Sequence, residues 1–520
     1  MLVELEAAPP RSSQQPVTTG ADRPGLPSTG RRRGPEEDAA DELRPMTSWL
    51  AARPRPLLLI GVGVTAGFLA GGLGVLNFRY GLAAIAALAV VIVVLLWPYV
   101  GGLILVGLVP AMSGLRPGFP IPYVRLSEAL IALISVTLLV FTPRQEGLTW
   151  GLLDWLLLTY GMAWAFFGVV NAHALGEHLT LSDWGTVFGQ LQFFLLYRSL
   201  QLVLRTKEER RRALSVLLGA SAVVALLAVF QQVGLPGVRS FLYSVTGGTP
   251  GAAANQVLRR ATGPFDNWAA LAGYLLPVLV LVCALGLAGE ARHQRKAFIA
   301  VAALAAIGLA VTAELSAIVC LLGGVVVLGV QYGHSRRILR WLVIGSVVGA
   351  VVLGPFIAQR LTGEFVRTAG SARSSFVPQT IGYRLHIWTG QYLPAIEARP
   401  LMGYGVVLPD TVAWPYPESQ YISLLIEGGG PLLLLFGYLT WAMIRRARAA
   451  ARSPDPFDQA LGRSLVIIVV ALMSMDAIWP YLSNGGMSQV LWCLFALATP
   501  GSLVPRPHER QVLRGATALV

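Results

Sequence analysis

Between an apolar run that ends near Ala358 and another that begins near Gln420 lies the one long polar interruption of this chain, residues 359–419. It carries five arginines, Arg360, Arg367, Arg373, Arg384 and Arg399. Arginine presents a planar fork of donors that matches phosphate oxygens two at a time, so it can hold a diphosphate without a metal. Arg384 and Trp388 are four residues apart, a spacing that puts both side chains on one face of a helix. There the guanidinium could meet phosphate while the indole packs beneath a sugar ring or the cation. The same pair would equally suit an interfacial helix, with Trp388 anchored at headgroups and Arg384 on lipid phosphate. His386, pointing roughly the other way on such a helix, is a further candidate for proton transfer. Glu418 stands at the mouth of the next apolar run, behind Pro415 and Pro417 and three residues before Tyr421. Its carboxylate could accept a proton from an attacking hydroxyl, cap the helix that follows, or pair with an arginine. A second cationic site is Arg259-Arg260, ahead of an apolar run that opens near Asn267.

The elements around these residues read as membrane. Hydrophobic residues make up 55% of the chain and charged ones 13%, with a mean hydropathy of +0.62, far from the balance of a soluble domain. The net charge of +13 would suit nucleic acid on one soluble face, but the basic residues fall in short clusters between apolar runs, so no nucleic-acid partner is expected. At about 20 residues per crossing, spans fall near 57–76, 81–96, 98–113, 127–142, 150–169, 185–204, 213–235, 267–289, 297–313, 315–332, 341–358, 420–444, 461–480 and 487–503. The run from Gly81 to Met112 is divided at Trp97-Pro98, because proline interrupts helix hydrogen bonding. The expected fold is all-α, a polytopic integral membrane protein of about 12–14 transmembrane helices with one large exterior loop. Residues 1–54, rich in Pro, Gly and charge, read as a disordered cytoplasmic tail. Helices over 55–358 with an exterior loop at 236–266 come next, then the catalytic loop 359–419, helices over 420–503 and a cytoplasmic tail 504–520.

Basic clusters at 205–212, 292–296, 336–340, 445–452 and 506–514 fall on one side in this arrangement. By the positive-inside rule that side is the cytoplasm, together with the N-terminus. The loop at 359–419 then faces outward. Its arginines come without lysine, but the whole chain has only Lys207 and Lys296, so that bias is general usage. Cys283, Cys320 and Cys493 lie in apolar runs without ligand spacing, and no metal or other cofactor is expected.

Four stretches resemble the O-antigen ligase/polymerase family. They are Arg260-Ala-Thr-Gly-Pro-Phe265, Gly382-Tyr-Arg-Leu-His-Ile-Trp388, Arg399-Pro-Leu-Met-Gly-Tyr-Gly405 and Glu418-Ser-Gln-Tyr-Ile-Ser-Leu-Leu-Ile-Glu-Gly-Gly429. The resemblance covers roughly residues 200 to 445 and implies a glycosyltransferase of the bacterial inner membrane. Its donor would be a polyprenyl-diphosphate-linked glycan, its acceptor a lipid or glycan hydroxyl, and membrane lipid its surroundings. On that reading Arg260 and Arg384 hold the diphosphate, with Arg259 and Arg373 as substitutes, Trp388 and Tyr421 complete the substrate site, and no metal is needed. Two departures stand out: Glu418-Ser419 occupies the place of a His-Asn pair, and Glu314-Leu315 that of a Ser-Arg pair at a tight bend. The alternative is a transporter or flippase, with Asp266, Glu314 and Asp476 lining a path.

Overall fold

The computed structural model of the chain describes residues 78–118, 124–142, 150–247, 260–290, 295–336, 379–409, 416–483 and 485–498, with a few single positions between them. The tail 1–54, the span at 57–76, most of the span at 341–358, Arg259, Arg373 and the tail 504–520 lie outside the described residues.

Among the described residues every regular element is helical. Helices α1 (Phe78–Leu96) and α2 (Pro98–Met112) divide the long apolar run at Trp97, whose φ of −136° and ψ of 77° leave the helical region. Proline bars its predecessor from the helical region and suits the first turn of a new helix, so the break falls there. Next come α3 (Leu126–Phe141) and α4 (Leu152–Leu175). The single span expected at 185–204 is instead two helices, α5 (Leu181–Phe188) and α6 (Leu191–Val203). A capping box explains the early start. Thr180 Oγ1 accepts from the Asp183 N–H at 3.3 Å and the Asp183 carboxylate accepts from the Thr180 N–H at 2.8 Å, which nucleates a turn ahead of the apolar run. Then follow α7 (Lys207–Val233), α8 (Val238–Thr246), α9 (Trp268–Leu287), α10 (Arg295–Ala310) and α11 (Leu315–Gln331). Within the polar stretch lie α12 (Gln379–Ile387), a π-helical turn (Trp388–Tyr392) and α13 (Leu393–Ala398). The chain continues with α14 (Gln420–Ala451), α15 (Pro456–Asp476), a 3-10 turn (Tyr481–Ser483) and α16 (Met487–Leu497).

Among the described residues, helices α4, α7, α9, α14 and α15 are long and apolar enough to cross a membrane, and six shorter apolar helices accompany them. This is an all-α, multi-pass membrane protein. Helix α9 is apolar on every side and buried over nearly its whole length, the condition under which such a helix is stable inside a bundle. It packs against α10, α11 and α15, while α14 lies along α15 and α4. Asn267, and not Asp266, caps α9: its side chain accepts from the Ala270 N–H at 2.7 Å, while Asp266 accepts from the Asn267 amide.

Ion pairs gather the charged turns at one end of the bundle. Lys207 meets Asp455, Arg210 meets Asp458, and Arg211 meets Glu290, while Arg463 donates to the Gln331 carbonyl at 3.3 Å. The turns near 207, 290, 331 and 455 therefore share an end. Helix α14, 32 residues long, ends at Ala451 beside these turns and begins at Gln420, so the residues just before it, with α12 bonded to them, lie at the other end.

Candidate active site

At that second end, α12 and the π-helical turn direct two side chains onto the segment that leads into α14. Arg384 Nε donates to Glu418 Oε2 at 2.7 Å, and Trp388 Nε1 donates to the Pro417 carbonyl at 2.7 Å. Both address consecutive residues of one strand of backbone. Beneath them Ile387, Tyr392 and Ile426 form a small apolar cluster, which seats α12 on the first turns of α14.

Glu418 has a φ of +49°, in the left-handed region that costs a side-chain-bearing residue about 1–2 kcal/mol. Such a conformation persists where surroundings over-determine it. Here Pro417 constrains the preceding residue and Arg384 grips the carboxylate. Ser419, at the N-cap of α14, makes no side-chain capping bond. Of the three roles open to Glu418, arginine partner is the one the geometry displays, and both side chains remain partly exposed, at 16% for Arg384 and 20% for Glu418. His386 is exposed on α12. The Tyr421 hydroxyl donates to the Met473 carbonyl at 2.6 Å, tying α14 to α15.

Arg260 is placed very differently. Its turn is clamped by Gln231 of α7, whose Oε1 accepts from the N–H groups of Thr262 at 3.0 Å and Gly263 at 2.8 Å. From this turn Arg260 Nε donates to the Thr312 carbonyl at 2.8 Å, and Nη2 donates to the Ala313 carbonyl at 2.6 Å and to Glu314 Oε2 at 3.0 Å. The backbone joins in, with the Ala261 N–H donating to the Val311 carbonyl at 3.1 Å. Helix α10 has just ended, so these carbonyls have lost their helical partners; the arginine turn supplies new ones. Ala313 at the bend has a φ of +51°, and the guanidinium lies 4.4 Å from the centre of the Trp268 ring. Arg260 is therefore committed to protein groups, with 9% of its side chain exposed.

A chain of hydrogen bonds joins the two arginine sites. Ser316 Oγ donates to Glu314 Oε1 at 2.8 Å and lies 3.1 Å from the Tyr481 hydroxyl. Burial pushes the Tyr481 phenol well above its ordinary value, so it stays protonated. Its backbone N–H donates to Asp476 Oδ1 at 2.9 Å, and Ser419 Oγ contacts the Asp476 carbonyl at 3.4 Å. Asp476, fully buried, closes the turn after α15. Of the charges that suggested a transport path, Glu314 holds Arg260 and Asp266 the Asn267 amide, while Asp476 holds the 481–482 backbone through Oδ1 and leaves Oδ2 buried without a partner among the described residues.

Helix α14 breaks ten residues in. Gly428 and Gly429 leave helical geometry, Gly429 with a φ of +65° and ψ of −164°, and Pro431 follows. Proline has no N–H, so the Glu427 carbonyl cannot be satisfied within the helix. The Gly405 N–H takes it at 3.0 Å, the Tyr404 N–H takes the Ile426 carbonyl at 2.6 Å, and the displaced Gly430 N–H donates to the Pro400 carbonyl at 2.7 Å. A Cβ on Gly403 would stand 2.4 Å from the Ile426 oxygen, and one on Gly429 2.6 Å from the Pro400 oxygen. Asn171 of α4 adds an amide bond to the Met402 carbonyl at 2.8 Å. Gly403-Tyr404-Gly405 is therefore the staple of the broken helix. Its role depends on Gly428 to Pro431, whose run of glycines before a proline is the sequence signal for the break.

Residues 300–437 match a family model described as O-antigen ligase. The match covers roughly a quarter of the chain's length, from α10 to the part of α14 beyond its break. That span includes Glu314, Arg384, Trp388, the staple and Glu418; Arg260 and the 476–483 turn lie outside it. No curated protein matches the chain.

Proposed function

We propose that the chain transfers a glycan from a polyprenyl diphosphate onto the hydroxyl of a lipid or glycan acceptor, in the assembly of a surface polysaccharide. The observation that carries this reading is the Arg384–Glu418 pair, partly exposed and held on a strained backbone, inside the segment matched to O-antigen ligases. Donor diphosphate draws the Arg384 guanidinium away from Glu418, since a bidentate phosphate contact is at least as favourable as the single Nε bond it replaces. The freed carboxylate faces the acceptor. As the hydroxyl oxygen attacks the anomeric carbon, the bond from that carbon to the diphosphate oxygen breaks and its electron pair stays on the diphosphate, where Arg384 offsets the charge. The hydroxyl proton passes to Glu418, which takes the place of the family's histidine. Trp388 supports the sugar or the segment at 417, His386 is the alternative proton acceptor, and Arg259 and Arg373, outside the described residues, stay as proposed substitutes for the diphosphate arginines. Arg260 holds the bend that seats Tyr481. Arginine makes the transfer independent of metal.

The reaction is placed on the outer face of the bacterial inner membrane. The end with the paired charged turns, and the N-terminus with it, would face the cytoplasm, as the positive-inside rule favours. Deletion of the gene tests the reading: lipid-linked glycan should accumulate, as long chains if a ligase is lost and as single units if a polymerase is lost. A deletion strain whose carrier lipids are unchanged would overturn it. Transfer by the purified protein should persist in EDTA, and loss on chelation with recovery in Mg²⁺ would remove the metal-free mechanism.

A further inference from the structure

A polar cavity of about 300 Å³ opens at the same end of the bundle, lined from α3, α4, α5, α6, α14 and the turn before α16. This volume is at the lower end of the range for pockets that take small organic ligands. Its polar lining includes Arg125, Glu128, Gln190, Gln192, Glu427 and Gln489 besides three hydroxyl residues, with Trp164 and Phe193 as aromatic wall. These residues come from segments up to about 360 residues apart, so no spacing in the sequence brings them together.

Two acceptor atoms in the lining are shut off from bulk solvent and have no hydrogen-bond partner among the described residues, Glu427 Oε2 and Gln192 Oε1. Buried acceptors left this way are costly, and they come from different helices that meet at one cavity. Their position is fixed from both sides. The staple at Tyr404 and Gly405 holds the last carbonyls before the break in α14, which sets where Glu427 stands, and Val406, next in the chain, lines the cavity. Trp164 is oriented by its Nε1 bond to the Thr186 carbonyl at 3.1 Å, and Gln489 by accepting from the Gly486 N–H at 2.7 Å, which leaves its amide hydrogens for a ligand.

The lining discriminates among ligand classes. Two carboxyl groups and three amides against a single guanidinium disfavour a diphosphate, which Arg384 would serve better. A hydrocarbon would strand every one of these polar groups. A hydroxylated ring satisfies both demands: its hydroxyls donate to unpartnered acceptors and its apolar face lies against indole or phenyl. Helix geometry puts Glu427 roughly 10 Å along α14 from its first residue, Gln420, which follows Glu418 by two, far enough for a sugar to occupy the cavity while a diphosphate stays with Arg384.

We infer that this cavity is a sugar-ring subsite, with Glu427 and Gln192 as acceptors for ring hydroxyls, so that it selects which glycan is transferred. The inference rests on the transfer reaction proposed above and adds a specificity site to it. The ring would belong to the donor or to the acceptor, and one set of measurements separates these sources.

The test uses the full chain in detergent and three probes: undecaprenyl diphosphate without sugar, the lipid-linked glycan fraction that accumulates in the deletion strain, and the remaining lipid extract of that strain as acceptor. Glu427→Leu and Gln192→Leu are compared with the unaltered protein. For a donor subsite, both variants should lose about 10-fold or more of the preference for the glycan-bearing carrier over the bare one. Binding of the bare carrier and of Arg384-dependent diphosphate should stay unchanged. For an acceptor subsite, donor preference survives and the KM for the acceptor extract rises by a similar factor at nearly constant kcat. Variants that fold and keep both the donor preference and the acceptor KM would overturn the inference. Failure of the unaltered protein to bind the bare carrier, or an absence of accumulated glycan, would instead bring down the transfer reading on which it rests.

Discussion

Arg260 and Arg384 each face a carboxylate near the 476–483 turn, yet their surroundings are opposite in kind. Arg260 gives two donors to backbone carbonyls freed at the end of α10, a third contact to Glu314, and its face to Trp268. Arg384 contacts Glu418 through Nε from a short helix, and that glutamate sits in a left-handed conformation. The first arginine replaces hydrogen bonds that a chain bend has lost, so moving it would orphan several buried groups together. The second can change partner at the cost of one exchangeable bond. Within one molecule, the same pair of residue types is locked to backbone in one place and left exchangeable in the other, and the number of backbone acceptors tells them apart.

The largest expected effects separate the two arginines. Arg384→Ala should lower transfer by about 100-fold or more, the scale of removing one preorganised charge-stabilising donor, while the protein inserts and melts normally in detergent. Arg384→Lys should recover part of the loss because the point charge returns without the fork. Arg260→Ala should act on the fold instead, at about 3 kcal/mol or more for breaking a largely buried pair, seen as a lowered melting temperature and reduced yield. An Arg260→Ala protein that melts normally but transfers nothing would erase the distinction and make Arg260 a diphosphate ligand.

Glu418→Gln sharpens the comparison from the carboxylate side. Glutamine keeps an oxygen for Arg384 Nε, so stability should change by less than about 1 kcal/mol. Transfer should fall by about 100-fold because the proton acceptor is gone. Near-normal transfer by that variant would leave Glu418 as a holder of Arg384 alone and move the proton to His386.

The smallest effects concern the staple. Gly403→Ala should cost about 2 kcal/mol or more, from its φ of +63° and from the approach to the Ile426 oxygen at 2.4 Å. Asn171→Ala should cost about 1 kcal/mol for its one bond to Met402. Thermal unfolding of the two variants in parallel checks the order, and a larger loss for Asn171→Ala would mean that the side chain from α4, and not the glycine backbone, holds the loop.

The spanning helices are legible in the sequence because a hydrocarbon layer demands long apolar runs, and the break at Trp97-Pro98 follows from proline alone. The division between α5 and α6 is not read from hydropathy, since Thr180 and Asp183 start a helix with hydrogen bonds that an apolar profile does not register. At the site, the spacing of Arg384 and Trp388 signals a common target, but the target, Pro417 and Glu418, comes from 29 and 34 residues farther along the chain. Arg260 shows the limit more clearly. Its type and motif suggest phosphate, whereas the carbonyls it serves belong to a bend 52 residues away that exists only once α10 and α11 have packed.

The broken helix also determines where this protein can be cut and rejoined. Three backbone bonds cross between residues 400–405 and the 426–430 segment, and each end supplies what the other lacks because of Pro431. A chimera that imports a foreign loop between α11 and α14 but retains the resident α14 would bring its own backbone to two carbonyls, at Ile426 and Glu427, that the broken helix leaves open. Exchange is expected to work only when the loop and the first dozen residues of α14 travel as one cassette. Shuffling libraries whose crossovers fall beyond Pro431 should yield inserted protein, while those that join between Gly405 and Gly428 should be cleared by membrane proteolysis.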